Sequence, residues 1–441
     1  MSNKAPVPAV VSFLSWLLFC FLSCAGSPHL YQDIDDEVRS ASYIKALSSM
    51  EKRDVKSSIY NNKNVILYYL DRGIIEHYAG LWHESSKNLE EAERLIEAAF
   101  TRSIGQEISS YIINDNAKDY SGEDYEDLYI NVFNALNYYQ RNDIEGALVE
   151  VRRVNEKLIY LADKYERARE KVVTSNTDLD DPQYSVEAVK FSNSALARYL
   201  SLLFYRAQGN YDSVRIDFQE LHRAYELAPD VYNHPPPASL DEEISIPQGK
   251  ARLNVLSFTG MSPIKEEVTR QIPLPLPPPN TLARLALPRM LDRPSAIERV
   301  EVVLNSRQRF TLELLEDMSR VATETFKAKY SLTVIKTAAR TIAKTIASAG
   351  AAKAAEERAE GLGFVIGLLG KIASDVSEQA DLRMSRYFPG RAYVGGINLD
   401  PGIYSMTVNY YGNRGLIASD QESNVLVEAG KLNLMKFVCL K

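Results

Sequence analysis

The sequence contains few of the residues that build disulfide frameworks and metal centres. It has three cysteines and five histidines in 441 residues. Cys20 lies within an apolar N-terminal run that is typical of a signal peptide, and Cys24 follows that run as a candidate lipid site. Cys439 is then left without a partner for an intrachain disulfide. His77 and His83 are six residues apart, which is not the spacing of metal ligands on one helix face. We therefore expect no disulfide and no metal site.

The motifs of common enzymes and nucleotide-binding proteins are also missing. The chain has no Gly-Lys-Ser/Thr phosphate loop and no Gly-x-Ser-x-Gly nucleophile elbow. Gly361-x-Gly363 does not follow a predicted strand, as a dinucleotide-binding motif requires. Acidic pairs such as Glu90 and Glu91 are typical of a solvated surface. The sequence therefore predicts a protein without a cofactor and without enzymatic activity.

No block of basic residues occurs along the chain. The formal net charge is −7, and residues of both signs are mixed throughout. A nucleic-acid-binding protein needs a basic stripe or patch to contact phosphates. We therefore expect no nucleic-acid partner.

The N-terminus carries an apolar run that ends in a cysteine. The run extends from Val7 to Ser23 after a single basic residue, Lys4, and Cys24 follows. This pattern predicts a bacterial lipoprotein signal peptide at residues 1–23, with diacylglycerol and acyl chains such as palmitate on Cys24. A plain secretory signal and an uncleaved anchor are the alternatives. Ala25 favours an outer-membrane protein facing the periplasm, although inner-membrane retention stays open.

Helical periodicity dominates residues 41–234, after an acidic tether predicted at 24–40. Three segments place similar residue types at the same offsets. The matching sets are Gly73, Gly80, Trp82, Ser85, Leu89 and Ala92; Ala135, Asn142, Ile144, Ala147, Val151 and Val154; and Leu202, Gly209, Tyr211, Val214, Phe218 and Leu221. The pattern is typical of tetratricopeptide (TPR-like) repeats, in which pairs of helices join through a tight turn. An ordinary helical bundle is the alternative.

A proline-rich linker predicted at 235–250 separates this region from a predicted β domain. Alternating strand patterns occur at 251–310 and 384–441, and a helical insertion at 311–383 interrupts them. We therefore expect an α+β multidomain protein: a TPR-like α-helical domain followed by an antiparallel β-sandwich with a helical insertion. Gly363 and Gly367 predict a close-packed buried hairpin at 361–370, with a membrane-touching or partner-binding hairpin as alternatives.

Three groups of motifs carry a family resemblance. They are Glu123–Glu126 with Asn134–Tyr138 and Ala147–Arg153; Gly260–Glu266; and Ala380–Arg383 with Phe388–Gly390 and Leu399–Tyr404. On these motifs the chain resembles an uncharacterised family of bacterial envelope lipoproteins with N-terminal helical repeats and a C-terminal β domain. The resemblance spans most of the chain after the signal. It implies a non-enzymatic envelope protein with a connection to peptidoglycan synthesis.

The first helix of each predicted pair should line a partner-binding groove. The candidate groove residues are Tyr68, Tyr69, Arg72, Asn131, Asn134, Tyr138, Arg141 and Tyr205. Polar and aromatic side chains on an apolar scaffold suit the capture of an extended or helical peptide. The alternative is that many of these tyrosines are core residues with a solvated hydroxyl.

These features predict a lipid-anchored scaffold or adaptor that binds another envelope protein or peptide through the helical groove. Two alternatives stay open. In the first, the sandwich binds peptidoglycan or another glycan and the protein serves cell-wall synthesis. In the second, the protein belongs to an outer-membrane export or pore assembly, which requires the 361–370 hairpin to enter lipid.

Overall fold

The computed structural model describes residues 26–104, 119–175, 189–273, 282–348 and 379–441. The predicted signal peptide, Cys24 and the predicted hairpin at 361–370 lie outside these residues. The predicted α+β class is confirmed, because a layer of helices is followed by a large mixed sheet. The helices are α1 (Gly26–Arg39), α2 (Tyr43–Met50), α3 (Arg53–Ser58), α4 (Val65–Tyr78), α5 (Trp82–Ile104), α6 (Asp124–Gln140), α7 (Ile144–Ser175), α8 (Ala195–Ala207), α9 (Tyr211–Leu227) and α10 (Met318–Ser348).

Six of these helices form three consecutive hairpins, α4–α5, α6–α7 and α8–α9, and each hairpin contacts the next. The predicted turn residues Gly80, Asn142 and Gly209 all have left-handed backbone conformations, with φ values of 77°, 61° and 72°. Glycine and asparagine adopt this conformation at lower cost than other residues. The local sequence therefore determines where each hairpin turns.

Gly73 shows why a small residue is needed inside the first hairpin. A Cβ atom at this position would lie 2.8 Å from the side chain of Leu89 on the facing helix. The Ser85 hydroxyl also donates a hydrogen bond of 2.7 Å to the Gly73 carbonyl oxygen. The absence of a side chain on Gly73 thus lets α4 and α5 approach closely.

The described residues in the C-terminal half of the chain form nine strands. They are β1 (Ala251–Met261), β2 (Ile264–Pro273), β3 (Leu282–Leu291), β4 (Arg299–Leu304), β5 (Gln308–Asp317), β6 (Pro389–Leu399), β7 (Gly402–Gly412), β8 (Gly415–Val427) and β9 (Asn433–Cys439). Seven of them join in one sheet of order β8-β7-β4-β5-β6-β1-β9, and β2 pairs with β3 separately. All neighbours in the large sheet are antiparallel except β1 and β9.

The predicted sandwich of two packed sheets is not confirmed. The seven strands form a single sheet that curls until its edge strands, β8 and β9, contact each other. The inner side of the curl holds its own apolar core, which includes Leu253, Val255, Val302 and Tyr410. Strand alternation predicts that one face of each strand is apolar, but it does not predict how the strands join.

The outer side of the sheet shares a second core with the helices. Leu256 and Phe258 of β1 belong to the same buried cluster as Phe133 of α6 and Leu200 of α8. Every residue of β1 is buried, since one face turns to the inner core and the other to the helices. The helical and β regions are therefore packed along one continuous apolar interface.

Two segments predicted as connectors contain helical structure. The tether at 24–40 contains helix α1, because Ile34 and Val38 lie four residues apart and are both buried. The linker at 235–250 is also structured, since Leu240 and Glu243 are buried within a short 3-10 helix, Ala238–Glu243.

The helical insertion predicted at 311–383 begins too early. Residues 311–317 complete β5, and the helix starts at Met318. Leu312 packs in the inner core of the sheet. Leu315 lies at the register shift between Leu314 and Glu316 and packs against the helices instead. The apolar residues alternate from Phe310 to Leu314, but the register shift breaks this pattern at the end of the strand, where the sequence prediction placed the helix.

Glu316 at the end of β5 joins the sheet to the helices. Its buried carboxylate accepts hydrogen bonds from the hydroxyls of Tyr129 (2.7 Å), Tyr232 (2.6 Å) and Ser194 (2.9 Å). It also accepts a bond of 3.2 Å from the backbone N–H of Leu196. Burial raises the pKa of Glu316, and the four donors offset part of that cost.

We predict that Glu316→Ala lowers the free energy of unfolding by at least about 3 kcal/mol, because several buried donors lose their acceptor together. Urea unfolding followed by circular dichroism measures the change. Glu298→Ala is the control, since Glu298 is exposed, and its effect should stay within about 0.5 kcal/mol. Equal effects of the two substitutions would contradict the proposed role of Glu316.

Candidate functional site

The structure divides the predicted groove residues into two groups. Asn131 and Asn134 on α6 are fully buried, so the prediction that they line an open groove is wrong. Tyr68, Tyr69, Arg72, Tyr138, Arg141 and Tyr205 are half-buried and keep part of their surface exposed. The sequence pattern of α6 could not show whether Asn131 and Asn134 are exposed or buried, because an asparagine amide is compatible with either a solvated surface or a buried hydrogen-bond network.

Asn131 lies in a polar network between three helices. Its amide nitrogen donates to Glu93 on α5 (2.9 Å) and to Glu150 on α7 (2.7 Å). Lys157 also contacts Glu93, with a distance of 2.6 Å between nitrogen and oxygen. Asn134 differs, because neither polar atom of its side chain has a hydrogen-bond partner among the described residues.

The first helix of each hairpin packs against the chain's own β region. The Tyr78 hydroxyl on α4 donates to the backbone oxygen of Tyr387 (2.8 Å). The Tyr129 hydroxyl on α6 binds Glu316 of the sheet, and Tyr199 on α8 accepts a bond from Asn254 (3.1 Å). The chain therefore fills with its own sheet much of the surface that a partner was expected to occupy.

Two buried carboxylates fix the segment before β6 onto the helices. Asp71 on α4 accepts bonds from the Ser385 hydroxyl (2.6 Å) and the Arg386 N–H (3.1 Å). Glu126 on α6 accepts a bond of 2.5 Å from the Ser385 N–H. Burial is the main cause that raises the pKa of Asp71 to about 6 and that of Glu126 to about 7. The carboxylate of Glu123 also raises the pKa of Glu126.

Three of the half-buried tyrosines stack with arginines, of which Arg72 and Arg141 are half-buried and Arg152 is exposed. The stacks, with the distance from the guanidinium carbon to the ring centre, are Arg72–Tyr68 (5.8 Å), Arg141–Tyr138 (4.4 Å) and Arg152–Tyr205 (5.5 Å). Each hairpin supplies one of the three tyrosines. Cation–π contacts of this kind hold the planar groups in fixed orientations at the edge of solvent.

The surroundings of the stacks differ. Tyr69 packs edge-on against Tyr68, and Glu51 binds both the Tyr68 hydroxyl (2.5 Å) and Arg72 (2.6 Å). In the third stack the arginine is Arg152 of α7, which helical periodicity alone did not indicate. Arg206, the arginine next to Tyr205, is buried against Glu243 instead.

The described residues contain no group of three His, Cys, Asp or Glu side chains arranged to hold a metal ion. Among the same residues, no helix is long and apolar enough to span a membrane. Comparison with known protein families, with curated proteins and with solved structures finds no match to this chain.

We predict different outcomes for substitutions of Asn131 and Asn134. Asn131→Leu should lower the free energy of unfolding by about 2 kcal/mol, because it leaves the buried carboxylates of Glu93 and Glu150 without their amide donor. Asn134→Leu, the matched control, should change it by less than about 1 kcal/mol, because no hydrogen bond to the described residues is lost. Urea unfolding measures both, and a larger loss for Asn134→Leu would contradict this assignment.

We predict that Glu126 makes stability fall as the pH rises. The folded chain keeps the proton on Glu126 up to its raised pKa of about 7, whereas the unfolded chain releases it near 4.5. From about pH 5 to about pH 7 the wild type should therefore lose about 2 kcal/mol of unfolding free energy relative to Glu126→Gln. Denaturant titrations across this range measure the difference, and parallel pH curves for the two proteins would contradict it.

Proposed function

We propose that this protein is a lipid-anchored, non-catalytic envelope scaffold that binds another envelope protein through its helical hairpins. The anchor would be Cys24, and the protein would sit in the outer membrane facing the periplasm. The observation that carries the proposal is the set of three tyrosine–arginine stacks at the surface, to which each hairpin contributes a half-buried tyrosine. Tyrosine and arginine are the residue types enriched at the energetic centres of protein interfaces.

We further propose that the hairpins are TPR-like units. The support comes from the shared offsets of the three segments and from the left-handed turns at Gly80, Asn142 and Gly209. In such units a small residue, a tight turn and a packing series recur along the chain. The sheet covers one side of the hairpins, so the partner would contact the stacks on the surface that remains exposed.

The third stack is the best candidate for the centre of the interface. Val149 lies three residues before Arg152 on α7, which places the two side chains next to each other on that helix. Val149 is 51% exposed. An exposed valine beside a fixed arginine and tyrosine gives the apolar surface and oriented polar groups that an interface centre requires.

We predict that the double substitution Arg152→Glu/Tyr205→Ala lowers the capture of a bound envelope protein by at least about tenfold, because both groups of the stack are lost. In-cell crosslinking of the full chain, followed by mass spectrometry of the membrane fraction, measures capture. Tyr211→Ala is the matched control, since Tyr211 is 57% exposed and lies outside the three stacks. The control should leave capture unchanged.

Equal thermal unfolding of the three proteins would show that the double variant remains folded. Unchanged capture in the double variant would overturn the proposed interface. Recovery of peptidoglycan fragments alone, equally from all variants, would overturn the scaffold proposal and favour the glycan-binding alternative.

A further inference from the structure

Lys436 on β9 lies on the side of the sheet that faces the helices. Leu434 and Val438, two residues before and after it, pack in the core shared with the helices. Phe437 and Cys439 belong to the inner core instead. Lys436 is half-buried, and its Nζ atom lies 4.4 Å from the ring centre of Trp82, which is half-buried too. Lys436 thus lies at a partly open edge of the helix–sheet interface.

A chain of hydrogen bonds leads from Lys436 into the helices. The Nζ atom lies 2.7 Å from Nε2 of His77, and Nδ1 of His77 lies 2.6 Å from Oδ1 of Asn137. The amide nitrogen of Asn137 donates to the Ser85 hydroxyl (2.8 Å), which donates to the Gly73 carbonyl oxygen (2.7 Å). His77 and Asn137 are both fully buried.

The donor and acceptor roles along this series of hydrogen bonds follow from its last member, the carbonyl oxygen of Gly73. A carbonyl oxygen can only accept, so the single proton of the Ser85 hydroxyl is used on Gly73. Asn137 must therefore present its NH₂ group to Ser85 and its oxygen to His77. His77 then carries its proton on Nδ1, which leaves the lone pair of Nε2 directed at the amine of Lys436.

No carboxylate among the described residues forms an ion pair with Lys436, in contrast to two other lysines that are at least partly buried. Lys265, for comparison, lies 2.6 Å from Glu123, and Lys157 lies 2.6 Å from Asp127. Burial without such a partner lowers the pKa of Lys436 to about 7. Burial, and then the nearby Lys436, also hold the pKa of His77 well below its usual range, which keeps the imidazole neutral.

We propose that Lys436 is a nucleophilic amine, with His77 as its base and Asn137 as the group that orients His77, and that it forms an imine with an aldehyde or ketone ligand. A nucleophile, a base and an orienting group within hydrogen-bond reach are the arrangement that activates side chains for covalent chemistry. This site is separate from the tyrosine–arginine stacks, so it extends the scaffold proposal without depending on it.

The reaction needs no oxidant or reductant. The lone pair of Nζ forms a bond to the carbonyl carbon, and the π electrons of the carbonyl move to its oxygen. Nε2 of His77 accepts a proton from the nitrogen and returns it to the oxygen. The nitrogen lone pair then forms the second carbon–nitrogen bond as the carbon–oxygen bond breaks. The departing hydroxyl group takes up the second nitrogen proton, relayed by His77, and leaves as water. Water is the only other product.

The test is the rate of labelling of the full chain by propanal with sodium cyanoborohydride, read for each lysine by peptide mass spectrometry. At pH 7 a lysine with an ordinary pKa has less than about one neutral amine in a thousand. We expect Lys436 to be labelled at least about tenfold faster than Lys431, an exposed lysine of the same protein. The rate at Lys436 should level off above about pH 7, whereas that at Lys431 keeps rising.

His77→Gln separates a reactive site from a purely structural one. Glutamine can still accept a hydrogen bond from Lys436 but cannot take its proton, so labelling of Lys436 should fall at least about tenfold while Lys431 is unchanged. Equal rates for the two lysines in the wild type, or an unchanged Lys436 rate in the variant, would overturn the proposal. If the variant does not fold, the wild-type comparison and its pH profile decide the matter alone.

Discussion

The structure depends on the burial of carboxylates at the boundary between the helices and the sheet. Glu316 brings a charge-bearing group from β5 into a site where α6, α8 and Tyr232 supply its donors. Asp71 and Glu126 do the reverse, reaching from the helices to the backbone that precedes β6. A buried carboxylate is costly without donors, so these groups favour the one arrangement in which both layers are in register. Burial of the apolar core stabilises the contact between the helices and the sheet, and the buried carboxylates determine how the two layers are placed relative to each other.

The features that depend on nearby residues could be predicted from the sequence, and those that depend on distant residues could not. Gly80, Asn142 and Gly209 mark turns because their own backbone conformations are special. Asn131 and Asn134 were misplaced because their burial is set by helices many residues away. Leu256 and Phe258 alternate as in any strand, and nothing local shows that both faces of β1 are covered. The same limit hides the meeting of His77, Asn137 and Lys436, which lie on three separate elements.

The chain's own sheet covers one side of the three helical hairpins, and under the proposed scaffold function this limits how the protein would recognise a partner. Hydroxyl groups of Tyr78, Tyr129 and Tyr199 on the inward helices already form hydrogen bonds to the β region. The half-buried tyrosines on the remaining surface are held by arginines. A surface that is ordered before binding loses little conformational entropy when the partner arrives. Recognition by the hairpins would therefore resemble the docking of two preformed surfaces, with selectivity set by the placement of a few large side chains.

The parallel pairing of β1 with β9 also has a consequence for the order of folding. These strands are separated by the whole of the β region, yet β9 fills the edge of the sheet beside β1 and contributes Leu434 to the core shared with the helices. A chain that emerges from its N-terminus can form the three hairpins early, since their contacts are local. Their apolar inner face then stays uncovered until the strands follow. During synthesis the apolar surface that later becomes the core would therefore be exposed to solvent, and the addition of the last strand would complete its burial.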